Sequence, residues 1–399
     1  EDCLSLNVWT PAPADGGRRP VLVWIHGGAF VTGGGAMPWY DGSSLVRRGD
    51  VVVVTINYRL GAFGFPGERD VGLADQIVAL EWVRDAIAAF GGDPGRVTIF
   101  GESAGGASVV ALLAAPGARD LFGRAWAMSP SIPQFRTADH ASGVEQQLLG
   151  AAGVATLSEL GALTVDGVLT AQAELLASPA TALTAFAPTA GGDVIPHDIV
   201  SAAAADPRPL VLGTTRDEMH LFTTFDPGRA ALDEAGLHRA FERRFGAAAD
   251  DAIELYRQHR AGDTNGQLVS AMQTDETFRA PAWALADARI ANGAATWMYW
   301  FTFTTPAFGG VLGACHGVDV PFVFHNLHRP GVTVFTGDRP EREHVADAFA
   351  GAVLEFASTD DPGWPLYDDA ARATRTIDVE SGLVDDPERD LRLLWHVRD

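Results

Sequence analysis

Residues 96–106 read RVTIFGESAGG, and no other run of the chain says more about its fold. The β-branched and aromatic residues at 96–100 predict a strand, and the small residues at 104–115 predict a helix. Between them, Gly101-Glu102-Ser103-Ala104-Gly105 has the pattern G-x-S-x-G, a sharp turn that lifts a serine hydroxyl above the sheet edge. The flanking glycines relieve crowding around a strained serine backbone, and Gly106 lets the helix pack close to the strand. The run therefore predicts a nucleophile at Ser103, in preference to an ordinary turn with a capping serine.

The same alternation of strand and helix continues along the whole chain. Continuous apolar runs predict strands that are buried on both faces, at 20–26, 50–57, 209–213 and 295–301. Stretches with helical spacing predict helices at 73–90 and 341–357, and Ala-rich stretches predict a helical cap or side layer at 141–186 and 228–265. This pattern indicates an α/β fold with a mostly parallel sheet that is covered on both faces. No linker or repeat divides the chain, so we expect residues 1–399 to form a single domain.

The composition excludes several classes of function. A formal net charge of −22 and a sequence pI of about 4.8 argue against nucleic-acid binding and against adhesion to anionic membranes, and they favour neutral or cationic substrates. The chain contains no lysine, which excludes a Schiff-base mechanism. Cys3 and Cys315 have no spacing that suits a metal site, and the apolar runs are too short for a transmembrane helix.

A second run of small residues follows another predicted strand. His26-Gly27-Gly28-Ala29-Phe30 comes directly after the strand that ends at Ile25, as in the oxyanion loops of lipases and esterases. Small residues are needed there because backbone N–H groups must point at one developing oxyanion without interference from side chains. We therefore predict that the donors are the amides of Gly28, Ala29 and Ala104; the alternative is a glycine-rich turn that binds nothing.

With these elements in place, the sequence resembles the type-B carboxylesterases, a family of α/β-hydrolases that includes cholinesterases and bacterial p-nitrobenzyl esterases. The segments that carry the resemblance are EDCLSLNV (1–8), HGGAF (26–30), NYRLG (57–61), FGGDP (90–94), GESAGG (101–106), GTTRDE (213–218), HGVDVPFVF (316–324) and DPGWP (361–365). The resemblance implies the α/β-hydrolase fold, a mostly parallel central sheet flanked by helices with helical cap or side insertions. It also implies a serine carboxylic-ester hydrolase that needs no cofactor and no metal.

A nucleophilic serine needs a general base, and in α/β-hydrolases both the base and its acid follow the serine in the chain. His316 lies in a loop beyond the predicted strand at 295–301, which suits a group that must move a proton, and the resemblance implies the same residue. We expect the other histidines to have surface or structural roles, among them His197, His220 and His325.

The loop after the predicted strand at 209–213 offers two adjacent carboxylates, Asp217 and Glu218. Their spacing from the strand does not separate them, because neighbouring residues of a loop reach similar positions. The resemblance implies that Glu218 is the acid and that Asp217 is structural. Met219 stands where relatives usually have glycine, which indicates a change in the geometry of the loop or in the shape of the pocket.

Three further polar residues form a hypothesis about the surroundings of the base. Glu102, Ser108 and Asp319 are predicted to form a second layer of groups that stabilises the imidazolium of His316. The alternative is a solvated Asp319. By resemblance, Arg59 and Asp75 form a structural ion pair.

The resemblance implies two-step acyl transfer through an acyl-enzyme on Ser103, with a small neutral or apolar ester as substrate. Two alternatives stay open: a catalytically inactive binding or adhesion protein, and an amidase, carbamate hydrolase or lactonase with the same three residues. We expect no nucleic-acid partner, no membrane span and a monomer or weak oligomer. Relatives carry a segment before Glu1, so the chain is expected to be truncated at its N-terminus, Cys3 to be a free thiol, and the location to be cytoplasmic or secreted.

Overall fold

The computed structural model describes residues 2–177 and 184–396. Among these residues one sheet has nine strands: β1 Leu6–Trp9, β2 Arg19–Ile25, β3 Val52–Ile56, β4 Gly92–Glu102, β5 Arg124–Met128, β6 Leu210–Thr215, β7 Thr296–Phe301, β8 Ala373–Ile377 and β9 Leu383–Asp385. The spatial order is β1-β3-β2-β4-β5-β6-β7-β8-β9. Strand β1 is antiparallel to β3 and β9 is antiparallel to β8, whereas all the other pairs are parallel. The predicted α/β fold with a mostly parallel sheet is therefore confirmed.

Helices cover the sheet and extend beyond it. Their bounds are α1 Ser43–Gly49, α2 Gly61–Gly64, α3 Val71–Ala86, α4 Ala104–Ala114, α5 Ala138–Ala152, α6 Leu157–Leu160, α7 Val165–Leu176, α8 Ile199–Ala205, α9 His220–Thr223, α10 Pro227–Ala230, α11 Glu234–Phe245, α12 Ala249–His259, α13 Asn265–Thr274, α14 Ala280–Ala291, α15 Val320–Val323, α16 Val332–Thr336, α17 Arg342–Thr359 and α18 Arg389–His396. None of the described helices combines the length and the apolar character that a membrane crossing requires.

Within the described residues, the observed strands and helices lie close to their predicted positions; residues 178–183 of the helical layer predicted at 141–186 lie outside the described residues. The helix predicted at 73–90 ends at Ala86, and its last four residues form a 3₁₀ turn. Four strands were not predicted: β1, β5, β8 and β9. Strands β1 and β9 are only partly buried or exposed and β8 mixes polar with apolar residues, while β5 contains two alanines, which have weak strand preference.

The core lies on both faces of the sheet. Along β2, Val21, Val23 and Ile25 pack into one apolar cluster, and Leu22 and Trp24 pack into the other. Helices α3, α4 and α14 cover the first face, and α1 and α17 cover the second. Burial on both faces explains why the central strands read as continuous apolar runs.

The sheet also places the predicted site residues. Ser103 follows β4 directly, Glu218 lies three residues beyond the end of β6, and His316 lies in the connection that follows β7. Because β4, β5, β6 and β7 are neighbouring parallel strands, their carboxyl ends meet at one edge of the sheet. The topology therefore brings these three residues to the same edge.

Candidate active site

Ser103 has the backbone conformation that the G-x-S-x-G turn requires. Its φ of 59° and ψ of −120° are strained for a residue with a side chain, and its N–H donates to the carbonyl oxygen of Met128 on the next strand at 3.0 Å. A Cβ atom on Gly105 would lie 2.0 Å from the carbonyl oxygen of Ile25, and one on Gly106 would lie 2.5 Å from that of Met128. Glycine at these two positions therefore lets α4 start against the strands and hold the serine at the sheet edge.

His316 is bound to Glu218 through a short hydrogen bond. Its Nδ1 lies 2.6 Å from Oε2 of Glu218, and both side chains are buried. A carboxylate accepts only, so Nδ1 carries the proton and the neutral ring has its lone pair on Nε2. The second carboxylate oxygen of Glu218 accepts from the hydroxyl of Ser129 at 2.6 Å and from the N–H of Thr215 at 2.7 Å. Three donors thus fix the orientation of the Glu218 carboxylate.

Ser129 was not singled out from the sequence. It is fully buried, and its φ of 43° places it in the left-handed region, which turns its hydroxyl towards Glu218. Ser129 directly follows β5, the strand between β4 and β6, so its signal is the same as that of Ser103: a serine at the carboxyl end of a central strand. The signal was missed because β5 itself was not predicted.

The loop that follows β6 carries the adjacent carboxylates Asp217 and Glu218, and we call it the acid loop. The two side chains point to different partners. Glu218 contacts His316, whereas Oδ2 of Asp217 accepts from the N–H of Ala314 at 2.9 Å and its Oδ1 lies 3.5 Å from Arg260. Asp217 therefore ties the acid loop to the loop that carries His316. The structure separates the two residues where their spacing in the sequence did not.

A second carboxylate lies beside the other nitrogen of His316. Oε1 of Glu102 is 3.1 Å from Nε2, and the Glu102 side chain is buried. Burial opposes protonation of His316, but the charges of Glu102 and Glu218 outweigh it and raise the pKa of His316 to about 9. Burial, with a further contribution from the charge of Glu218, raises the pKa of Glu102 to about 7.

Asp319 is fully buried, so the alternative of a solvated Asp319 is wrong. Burial and the nearby charges of Glu102 and Glu218 hold the pKa of Asp319 well above its usual value. Ser108 lies elsewhere: among the described residues the one hydrogen bond of its hydroxyl is accepted from Nε2 of Gln76 at 3.0 Å. The structure therefore brings Glu102 and Asp319 into the electrostatic surroundings of His316, and among the described residues Ser108 forms no hydrogen bond with the histidine.

The run 26–30 forms a tight loop beside Ser103. The carbonyl oxygen of Gly28 accepts from Val31 and Thr32, each at 3.0 Å, and the φ angles of Gly28 and Ala29 are 113° and 53°. Within residues 2–177 and 184–396, the amides of Gly28, Ala29 and Ala104 donate to no protein acceptor. Ala104 is the first residue of α4, where backbone N–H groups have no partner inside the helix. Three donors are thus available near the serine.

Ser103 and His316 open into one cavity of about 960 Å³. Gly28, Ala29, Glu102 and Met219 also line it. Most of the remaining lining is apolar: Val31, Met37, Trp39, Tyr40, Leu176, Leu221, Phe222, Phe278, Phe308, Val320, Val334 and Phe335. Since most of the lining is apolar and Ser103, His316 and Glu102 supply polar groups at the reacting centre, the cavity suits a ligand with one reacting polar centre and large apolar substituents.

Several other predicted features lie outside this cavity or away from the reacting atoms. Arg59 and Asp75 form an ion pair with a distance of 2.6 Å between Nη2 and Oδ1. Cys3 is an exposed free thiol and Cys315 a buried one. Within the described part of the chain, no group of three or more His, Cys, Asp or Glu side chains has the arrangement of a metal site.

Known proteins resemble this chain in sequence and in structure. The model of the carboxylesterase family matches residues 1–381. The para-nitrobenzyl esterase of Bacillus subtilis (strain 168) is 36% identical over an alignment that covers 98% of this chain and 82% of that protein. The phenmedipham hydrolase of Pseudarthrobacter oxydans is 36% identical, with 92% and 77% covered. The crystal structure of the Geobacillus stearothermophilus carboxylesterase EST55 superposes with a TM-score of 0.88 at 39% identity, covering 99% of this chain and 85% of that chain.

Proposed function

The chain belongs to the carboxylesterase family and is a serine carboxylic-ester hydrolase, and we propose that Ser103, His316 and Glu218 carry out the hydrolysis. The observation that carries the proposal is the 2.6 Å hydrogen bond between Nδ1 of His316 and Glu218, next to a serine on a strained turn in the same cavity. A base that is oriented by an acid and opens to the same space as a serine is the arrangement that nucleophilic catalysis requires.

In the first step, the hydroxyl oxygen of Ser103 attacks the ester carbonyl carbon while Nε2 of His316 takes the hydroxyl proton. The carbonyl oxygen becomes an oxyanion, and the amides of Gly28, Ala29 and Ala104 donate to it. These donors stabilise the charge at little reorganisation cost, because they are already held in place by the loop and by the start of α4. His316 then gives its proton to the leaving alcohol, and the acyl group remains on Ser103.

In the second step, water replaces the alcohol. His316 takes a proton from the water, whose oxygen attacks the acyl carbon, and the same three amides hold the second oxyanion. The proton then returns to Ser103 as the carboxylic acid leaves. Glu218 keeps its charge throughout: it orients the ring and stabilises the imidazolium through the hydrogen bond to Nδ1.

We also propose the class of substrate, a neutral ester with bulky apolar substituents. The cavity of about 960 Å³ is larger than a short ester needs, and its lining beyond the reacting groups is mostly apolar. The acidic side chain of Glu102 at the reacting centre and the net charge of −22 disfavour anionic substrates.

The proposal is tested by labelling with a fluorophosphonate, followed by mass mapping of the modified peptide. We expect the label on Ser103, and we expect Ser103→Ala to lose both the label and the turnover of p-nitrophenyl esters. Ser158→Ala, an exposed serine on α6, is the matched control and should keep both. A label on any other serine, or turnover by Ser103→Ala, contradicts the proposal.

A second experiment separates the ester hydrolase from an amidase and from a binding protein. A series of p-nitrophenyl esters of increasing acyl length is compared with the matching p-nitroanilides at equal concentration. An ester hydrolase turns over the esters far faster, because the amide leaving group requires a stronger proton donor than the phenol. Faster turnover of the anilides would favour an amidase, and no turnover of either class would favour a binding protein.

A further inference from the structure

The mouth of the active-site cavity is surrounded by large apolar side chains that are exposed to solvent. Seven of them, which we call the mouth patch, have exposed fractions between 39% and 68%: Met37, Leu221, Phe222, Phe225, Phe308, Val311 and Val334. Five line the cavity itself, whereas Phe225 and Val311 lie outside its lining. The apolar surface therefore continues from the cavity onto the outside of the protein.

Contacts between separate segments hold the outer part of the patch together. The rings of Phe225 and Phe308 meet edge to face, with 5.6 Å between their centroids. The hydroxyl of Thr224 donates to the carbonyl oxygen of Val311 at 3.4 Å, which joins the end of α9 to the loop after β7. Phe308 has a φ of 52°, a left-handed conformation that costs a bulky residue energy. The fold thus keeps an exposed aromatic cluster although the backbone of Phe308 is strained and the apolar rings are in contact with water.

The size of the patch separates it from the scattered apolar residues of ordinary surfaces. Its three phenylalanines alone expose on the order of 300 Å², which is the scale of the largest apolar patch on many soluble monomers. Four more side chains extend it. A contiguous patch of this size marks a surface that binds something apolar.

The patch leads directly to the reacting groups. The ring of Phe222 lies 5.5 Å from that of His316, and the ring of Phe278 lies 4.8 Å from it on the inner wall. An apolar chain that rests on the patch can therefore pass along phenylalanine rings to the base. Because this surface is continuous with the cavity, its occupant is an extension of the substrate.

The net charge of the protein indicates which kind of apolar surface the mouth patch can bind. The seven side chains are uncharged, but the whole chain has a net charge of −22, so an anionic lipid surface would repel the protein. A neutral surface faces no such repulsion.

We propose that the mouth patch docks the protein onto the surface of an aggregated neutral ester, such as an emulsion droplet, and that single ester chains enter the cavity from that surface. This inference rests on the proposed function, since it uses Ser103 as the reacting group. It adds a second contact, between the mouth patch and the surface of the aggregate. Patch residues that a dissolved ester does not reach therefore determine the rate on an aggregated ester.

The test uses a variant that changes only the outer part of the patch. Phe225→Ser/Val311→Ser removes two exposed apolar side chains outside the cavity lining, and Val78→Ser/Leu383→Ser is the matched control, with exposed residues on α3 and β9. Each protein is assayed on dissolved p-nitrophenyl acetate and on tributyrin emulsified above its solubility limit. Retention on octyl-coated beads measures binding to an apolar surface without turnover.

We expect Phe225→Ser/Val311→Ser to keep the activity on p-nitrophenyl acetate within about twofold and to lose about tenfold on the emulsion and on bead retention, since roughly 1.4 kcal/mol of lost apolar contact is a tenfold change. The control should match the unchanged protein in all three assays. Equal emulsion rates in both variants, equal losses on both substrates, or no hydrolysis of the emulsion by the unchanged protein would overturn the inference. Failure of the proposed function has a different signature: the unchanged protein would not hydrolyse the dissolved ester.

Discussion

The carboxylate of Glu102 lies 3.1 Å from Nε2 of His316, the ring nitrogen that does not contact Glu218. Oε1 of Glu102 has no hydrogen-bond partner among the described residues, because the neutral ring of His316 carries its proton on Nδ1. The interaction is therefore one of charge. A negative group at this position favours the imidazolium, which is the form that His316 takes during acyl transfer.

Glu102→Gln is expected to move the pH dependence of activity. His316 acts as a base only when neutral, so kcat/KM should rise with pH as its raised pKa, about 9, is passed. Removing the charge of Glu102 destabilises the imidazolium and lowers the pKa of His316. The midpoint of the acid limb should therefore shift to lower pH by about one unit. A pH-stat assay of a soluble ester from about pH 5 to about pH 10 measures the shift.

Glu355→Gln, on the exposed side of α17, is the control for a general change in protein charge. Its acid limb should stay where that of the unchanged protein lies. A Glu102→Gln profile that overlies the control would show that Glu102 does not act on His316 through its charge.

Ser129→Ala is expected to lower kcat by about tenfold. The variant removes one of the three donors that orient the buried carboxylate of Glu218, and a hydrogen bond to a charged group contributes about 1.5 kcal/mol or more. Steady-state kinetics on p-nitrophenyl butyrate check the prediction, with Ser358→Ala on α17 as the control serine. Unchanged kcat in Ser129→Ala would mean that the N–H of Thr215 orients Glu218 by itself.

Substitutions of the two neighbouring carboxylates, Glu218 and Asp217, should differ sharply in their effect on kcat. Glu218→Gln keeps the shape of the side chain but offers Nδ1 of His316 no anionic acceptor, so kcat should fall by about 10⁴-fold. Asp217→Asn keeps an acceptor for the N–H of Ala314 and should retain most of the activity. The ratio of the two kcat values is the measurement, and a larger loss in Asp217→Asn would reverse the assignment.

Gly105→Ala should destabilise the fold. The added Cβ would lie 2.0 Å from the carbonyl oxygen of Ile25, and neither backbone can yield without moving the turn of Ser103. We expect a loss of at least about 3 kcal/mol in the free energy of unfolding. Gly351→Ala, inside α17 with open space around its Cβ position, should gain about 0.5 to 1 kcal/mol. Urea unfolding followed by circular dichroism compares the two, and similar stabilities would contradict the steric argument.

Much of the fold could be predicted from the sequence because the central strands are buried on both faces and therefore consist of consecutive apolar residues. Strand β5 escaped prediction because Ala125 and Ala127 are small, and their burial depends on large neighbours such as Trp126 that only the folded sheet brings into place. The loss of β5 also hid Ser129, since its position at a strand end is what makes it a candidate.

The predicted site residues come together for a topological reason, but the finer contacts depend on side-chain direction. Glu218 and Asp217 are adjacent in sequence and point to different partners, and this is decided by φ and ψ in a short loop. Asp319 is buried because α15 packs into the core beside it, and the sequence alone does not show which way a single acidic side chain points within a short apolar run.

The placement of the reacting groups on strand ends has a consequence for protein engineering. Ser103 and Glu218 follow β4 and β6 closely and His316 lies in the long connection after β7, while the cavity wall comes from short helices and loops such as α9, α16 and residues 307–311. Two of these wall segments adjoin the triad in sequence, since α9 begins two residues after Glu218 and residues 307–311 lie in the same connection as His316, whereas α16 lies beyond α15. A combinatorial library restricted to α16, which supplies Val334 and Phe335 to the wall, can therefore diversify substrate scope while leaving the reaction machinery intact, whereas changes in α9 or residues 307–311 also alter the loops that hold Glu218 and His316.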